Sequence, residues 1–133
     1  MNPEDKDYAD IRQLLADWSA AVRRKDYDGV LQNHSPDMLM FDVPPPFQSE
    51  GIAAYRKTWD LFFGWLEGPP KFELSDVRIT AGQEVAFVTA RGRCFGPNER
   101  GIAQELDFRL TVGLRKSDGH WVIEHEHHSV PAT

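Results

Sequence analysis

Apolar positions recur at three- and four-residue spacing along the first half of the chain and at every second residue along the rest. Tyr8, Ile11, Leu14, Leu15, Trp18, Ala21 and Val22 form one helical stripe, which predicts a helix from about Glu4 to Lys25. Asp26 carries a carboxylate suited to an N-cap, and Tyr27, Val30 and Leu31 predict a short second helix stopped by Ser35-Pro36. A strand over Met38 to Asp42 follows. Val43-Pro44-Pro45-Pro46-Phe47 lacks an amide donor at three successive positions and reads as a rigid loop, placed to close over something beside Asp42. Ile52, Tyr55, Trp59, Phe62, Phe63 and Leu66 predict a third helix with an aromatic face, from Gly51 to about Leu66, ended by Gly68-Pro69-Pro70.

The remainder reads as strands near Lys71–Thr80, Val85–Phe95, Ile102–Lys116 and Trp121–Val130. They are separated by Gly82-Gln83, Gly96-Pro97-Asn98 and Ser117-Asp118-Gly119. Three helices followed by a meander predict a single α+β domain over residues 1–133, in which helices cover one face of a curved antiparallel sheet.

The last strand gathers the chemistry. His125, His127 and His128 lie on it and His120 precedes it, so four of the five histidines cluster at one end of the sequence. Strict alternation puts Trp121, Ile123, His125, His127 and Ser129 on one face and Glu124, Glu126 and His128 on the other. Imidazole titrates near neutrality, so His125 and His127 beside apolar residues point to a pocket, with either as proton relay or electrophile. A three-residue hairpin loop would set Lys116 opposite His120, Arg109 opposite His127 and Thr111 opposite His125, all on one face. Leu106, Phe108, Leu110, Val112 and Leu114 form a rival apolar face on the partner strand. Pattern alone leaves open which face meets the helices and which a second subunit.

Charge and cysteine content narrow the partners. A net charge of −6 with dispersed basic residues argues against nucleic acid or an anionic membrane as a partner. No apolar run approaches the ~20 residues of a membrane helix. One cysteine, Cys94, excludes an intramolecular disulfide and reads as a small buried filler; the acidic N-terminus lacks a signal-peptide pattern, and a cytoplasmic location is expected. Zinc or copper on His125 and His127 would need a third ligand such as Asp42 or Glu105, which the local spacing does not supply, so neither metal nor other cofactor is expected.

Trp18-Ser-Ala-Ala-Val-Arg-Arg-Lys-Asp26-Tyr-Asp28-Gly29-Val30, through Phe41-Asp42 to Gly51, resembles the ketosteroid isomerases. Arg109-x-Thr111, through Lys116-Ser-Asp-Gly119-His-Trp121 to His125-Glu-His127-His-Ser129-Val-Pro131, resembles the SnoaL-like branch of the same nuclear-transport-factor-2-like superfamily. The resemblance covers nearly the whole chain. It implies a cone, a cystatin-like α+β roll in which a bent sheet wraps three N-terminal helices around a cavity, and a homodimer. It also implies that Asp42 stands where the isomerases keep the carboxylate that moves a proton. Trp18 stands where they keep a tyrosine that stabilises an enolate oxygen, and an indole N–H lacks the acidity of a phenol.

Three functions follow. The first is a small-molecule enzyme, an isomerase, cyclase or hydratase acting on an apolar carbonyl compound, with Asp42 as general base assisted by His127 or His125. Trp18, Tyr55, Trp59, Arg93, Arg109 and Thr111 are its candidate substrate contacts. The second is a non-catalytic module holding such a ligand under Trp59 and Tyr55. The third is a dimerisation domain with a filled cone. Asp42 could instead serve as a loop cap through backbone amides at Val43 and Phe47. Burial would raise its pKa and a cation nearby would lower it, so the neighbouring cation decides its chemistry.

Overall fold

A computed structural model describes residues 3–132. In chain order the elements are α1 (Pro3–Arg23), α2 (Tyr27–Leu31), β1 (His34–Phe41), β2 (Ser49–Glu50), α3 (Ile52–Trp65), β3 (Lys71–Ala81), β4 (Val85–Pro97), β5 (Ala103–Ser117) and β6 (His120–Ser129). The strands form one six-stranded sheet in the order β2-β1-β6-β5-β4-β3. The fold is the expected α+β cone, with one departure: β1 runs parallel to β6, so the sheet is mixed rather than wholly antiparallel.

The helical stripes do what their spacing predicts. Ile11, Leu14, Leu15, Trp18, Ala21 and Val22 of α1 and Tyr55, Trp59 and Phe63 of α3 are buried against the sheet. Asp26 caps α2 by accepting a hydrogen bond from the Gly29 amide. The Lys25 ammonium donates to the Phe63 and Leu66 carbonyls at 2.8 Å each, closing the C-terminal end of α3. Residues of β4 and β5 alternate cleanly, so Ala86, Val88, Ala90 and Cys94 with Phe108, Leu110, Val112 and Leu114 face the helices. The apolar face of β5 is therefore the inner one. Between them, Gly92 leaves the space that the Phe108 ring fills: a Cβ there would stand 2.1 Å from the ring.

Two sequence expectations at strand ends change. β1 begins at His34 and so includes Ser35 and Pro36, which α2 does not reach. Pro36 is tolerated because it falls within a register shift between His34 and Leu39, where no ladder donor is needed. The β5–β6 hairpin turns on two residues, Asp118 and Gly119, both at positive φ, and pairs Ser117 with His120 and Lys116 with Trp121.

Candidate active site

A second irregularity places the site. On β6, Ile123 pairs with Leu114 but His125 pairs with Gly113, so Glu124 is an extra residue, a β-bulge. Ahead of it Trp121 and Ile123 point inward; beyond it the alternation is inverted, and Glu126 and His128 point inward instead. The expected face is thus corrected. His125 and His127 lie together on the outer surface of the sheet, with ring centroids 6.3 Å apart, packed edge-on against Phe41.

Their expected companions share that outer face at a different register. Thr111 lies opposite His127 and Arg109 opposite Ser129, whose hydroxyl accepts from Arg109 Nε at 3.1 Å. The His125 tautomer is set by the Leu39 carbonyl, 2.7 Å from Nδ1, rather than by Thr111. Burial first, then the charges of His125, His128 and Arg109, lower the pKa of His127. Arg93, also outward, is paired with Glu105 at 2.7 Å and stands over the Phe95 ring. Among the described residues, no group of three or more His, Cys, Asp or Glu side chains is arranged to hold a metal ion.

Inside the cone the sheet and α3 enclose a cavity of about 200 Å³. Its walls are largely aromatic, formed by Trp59, Phe62, Trp65, Phe72 and Phe108, with Val43 and Pro44 of the proline loop among the lining residues. Only a few polar side chains reach it, among them Asp42 and His128. Cys94 also lines it, its thiol pushed by burial up to about 12. The protein therefore keeps Asp42 and Trp59 of the expected set at the cavity and replaces the expected histidines with His128.

His128 is held on several sides. Phe108 stacks on its ring with centroids 5.3 Å apart, and Trp18 and Trp59 present edges at 6.1 and 6.2 Å. Its Nε2 is 3.0 Å from Glu126 Oε1, and its Nδ1 is 4.0 Å from Asp42 Oδ1. Asp42 also accepts from the Val43 amide at 2.8 Å, so part of the loop-capping expectation holds alongside the cavity position. Burial pushes the Asp42 carboxyl above its ordinary range, opposed by His128 and the Val43 amide, with Glu126 adding to the rise.

Beneath lies a fully buried polar cluster. Trp18 Nε1 donates to the Tyr55 hydroxyl at 3.1 Å, and that hydroxyl donates to Glu126 Oε2 at 2.8 Å. His34 Nε2 lies 2.5 Å from the same oxygen. Burial would push the Glu126 carboxyl up, yet His128 and His34 outweigh it and hold it at about 2. Burial, with the neighbouring Glu126, raises the Tyr55 phenol well above its usual range. Trp18 and Tyr55 thus lie beneath the cavity without lining it. Their polar hydrogens are already used, so neither supplies the free donor expected for a substrate oxygen. The Trp59 N–H is buried without an acceptor in hydrogen-bond geometry, although it lies near enough to Tyr55 to influence that phenol.

Glu126, His128 and His34 are the site residues that sequence reasoning missed. Gly113 was the available signal: a glycine inside a strand marks a bulge or a close approach, and a Cβ there would stand 3.5 Å from that of His125.

The profile of the SnoaL-like domain family matches residues 11–133. Among solved structures, a nuclear-transport-factor-2-like protein of unknown function from Pseudomonas putida is 33% identical, with a TM-score of 0.84 over 94% of this chain and 87% of that one. A protein proposed to be a scytalone dehydratase from Novosphingobium aromaticivorans is 16% identical, with a TM-score of 0.84 over 97% and 87%. A ketosteroid isomerase-like protein from Erwinia carotovora is 19% identical, with a TM-score of 0.74 over 92% and 96%. No curated protein matches the chain by sequence.

Proposed function

The chain belongs to the SnoaL-like domain family of the nuclear-transport-factor-2-like superfamily, and from that premise we propose that it is an acid–base enzyme acting on a small, largely apolar ring compound bearing a carbonyl. One observation carries this reading: Asp42 and His128 stand side by side in a largely apolar, aromatic-rich cavity. Pockets of this composition bind by shape and apolar contact, and a few convergent polar groups fix orientation. At about 200 Å³ the cavity is smaller than most ligand pockets, roughly 300–1,000 Å³, which favours one or two rings over a steroid.

The chemistry follows from the proton inventory. An ionised Glu126 only accepts, so His128 keeps a proton on Nε2 and presents Nδ1 toward Asp42 and the cavity. With Nδ1 protonated, His128 donates to the substrate carbonyl oxygen while the Asp42 carboxylate removes a proton from the adjacent carbon. In an unsaturated ketone the conjugated enolate takes the Asp42 proton back at another carbon, which is isomerisation; in a β-hydroxy ketone it expels the hydroxyl, which takes the Asp42 proton and leaves as water, which is dehydration. Both outcomes use the same two side chains. The same reading includes a homodimer in the cytoplasm, with the outer sheet face around Phe41, His125, His127 and exposed Phe87 as the contact.

Exchange of α-hydrogens for deuterium tests this without knowledge of the product. Incubated with 2-tetralone in deuterated buffer, the protein is expected to accelerate exchange, and Asp42→Asn to remove the acceleration while leaving the fold intact. Because the raised Asp42 pKa must be passed before its base form is populated, the rate should climb with pH above the ordinary carboxylate range, beyond 3.8. A ketone that binds without any exchange, in parent and variant alike, would make the protein a binding module instead.

A further inference from the structure

His34 makes two short contacts inside the protein. Its Nδ1 lies 2.9 Å from the Gln32 carbonyl oxygen and its Nε2 lies 2.5 Å from Glu126 Oε2. Its side chain is completely buried, and its ring stacks on Tyr55 at 4.6 Å. A carbonyl oxygen can only accept, so Nδ1 carries a hydrogen. The other partner is equally constrained. Tyr55 receives the Trp18 N–H on its oxygen, so its own proton goes to Glu126 Oε2, the oxygen that also faces His34. With Glu126 ionised, each group facing this carboxyl, Tyr55 from α3, His34 from β1 and His128 from β6, serves as a donor.

We infer that His34 is a buried imidazolium, protonated on both nitrogens, and that through the Glu126 carboxylate it fixes the tautomer and orientation of His128, which makes it a positioning residue of the site. The inference rests on the reading of His128 as part of the acid–base machinery and deepens it. A neutral Glu126 could donate its proton to His128 Nε2, which would take away the carboxylate that supports the doubly protonated imidazole, the form that donates from Nδ1 to the carbonyl oxygen. The His34 cation prevents this by keeping Glu126 ionised. A lone buried carboxylate would otherwise be driven toward the neutral form. The directions of titration agree: for His34, burial opposes the charge, but the Glu126 hydrogen bond and charge with the Gln32 and Leu31 carbonyls prevail and raise its pKa.

Histidine 15N chemical shifts of the full chain test the assignment. At about pH 8, where an unperturbed imidazole is neutral, His34 is expected to show two protonated nitrogens and His128 to be protonated at Nε2. His34→Gln retains a donor but no charge. In that variant the titration midpoint of Glu126 should move up from about 2, by the one to three units typical of losing an adjacent opposite charge, and His128 should lose its single tautomer. The pH profile of ketone exchange should shift with it. A singly protonated His34 in the parent chain overturns the inference whether or not the variant folds. So does a His128 tautomer unmoved in His34→Gln. These results are separable from the function: loss of exchange in Asp42→Asn with a neutral His34 would leave the acid–base reading standing and remove this one.

Discussion

Glu126→Ala is expected to lower the free energy of unfolding by about 3–5 kcal/mol, the range for removing one partner of a buried ion pair. The carboxylate accepts from three buried donors, His34, Tyr55 and His128, and the substitution leaves each without its acceptor. A domain of this size has roughly 5–15 kcal/mol in total, so the variant should be close to unfolding under mild conditions. The pH dependence carries the same information. A carboxyl held at about 2 against an ordinary 4.5 contributes stability that is complete above 4.5 and disappears as the pH falls toward 2, about 3 kcal/mol in magnitude. His34 acts in the opposite direction. Its raised pKa contributes stability that is complete below 6.5 and fades as the pH rises through the raised value. Urea unfolding of the parent should therefore give a midpoint that falls steeply between about pH 4.5 and 2. In Glu126→Ala that acid limb should be flat. A loss at pH 7 within the ordinary surface range of about 0.5 kcal/mol would mean that the cluster is not the buried charge network described here.

His128→Asn should slow ketone exchange about 10²–10⁴-fold, the usual contribution of one positioned acid or base, while the chain remains folded. His125→Ala and His127→Ala should leave the rate close to that of the parent. The contrast is sharp because the three histidines lie within four residues of one strand, and only the bulge at Glu124 decides which of them enters the cone. Asparagine keeps polarity near Glu126 but cannot shuttle a proton, so a loss specific to position 128 reports chemistry more than packing. If the outer pair proved essential and His128 dispensable, the site would have to lie on the opposite face of the sheet.

The helices were legible because the 3.6-residue repeat survives any small boundary error: Ile11, Leu14, Trp18 and Val22 mark one face wherever the first turn begins. The meander was legible from its turn residues and from the five-residue alternation Leu106 to Leu114. The inward face of the second half of β6 was not. A period of two gives no protection against one inserted residue, which exchanges inside for outside at every later position. His125 and His127 do share a face, but the opposite one from that which alternation predicts. The resemblance points to Asp42 and physical chemistry asks for a cation beside it, yet the imidazole beside it, His128, belongs to the set that strict alternation turns away from His125 and His127. His34 gave less signal still. It precedes Ser35-Pro36, which reads locally as a stop, and only the parallel pairing of β1 with β6 brings it beneath Glu126, 92 residues away in sequence.

In the proposed function Asp42 and His128 work as one pair inside the cavity. The most direct test of that pairing is the titration of the Asp42 side-chain carboxyl, followed by 13C chemical shift in the parent protein and in His128→Asn. The midpoint is expected above the ordinary 3.8 in the parent and higher still in the variant, because burial raises it and His128 holds it back. A midpoint at or below 3.8, unchanged by loss of His128, would make Asp42 a solvated cap on its loop and leave the cavity without an acid–base pair.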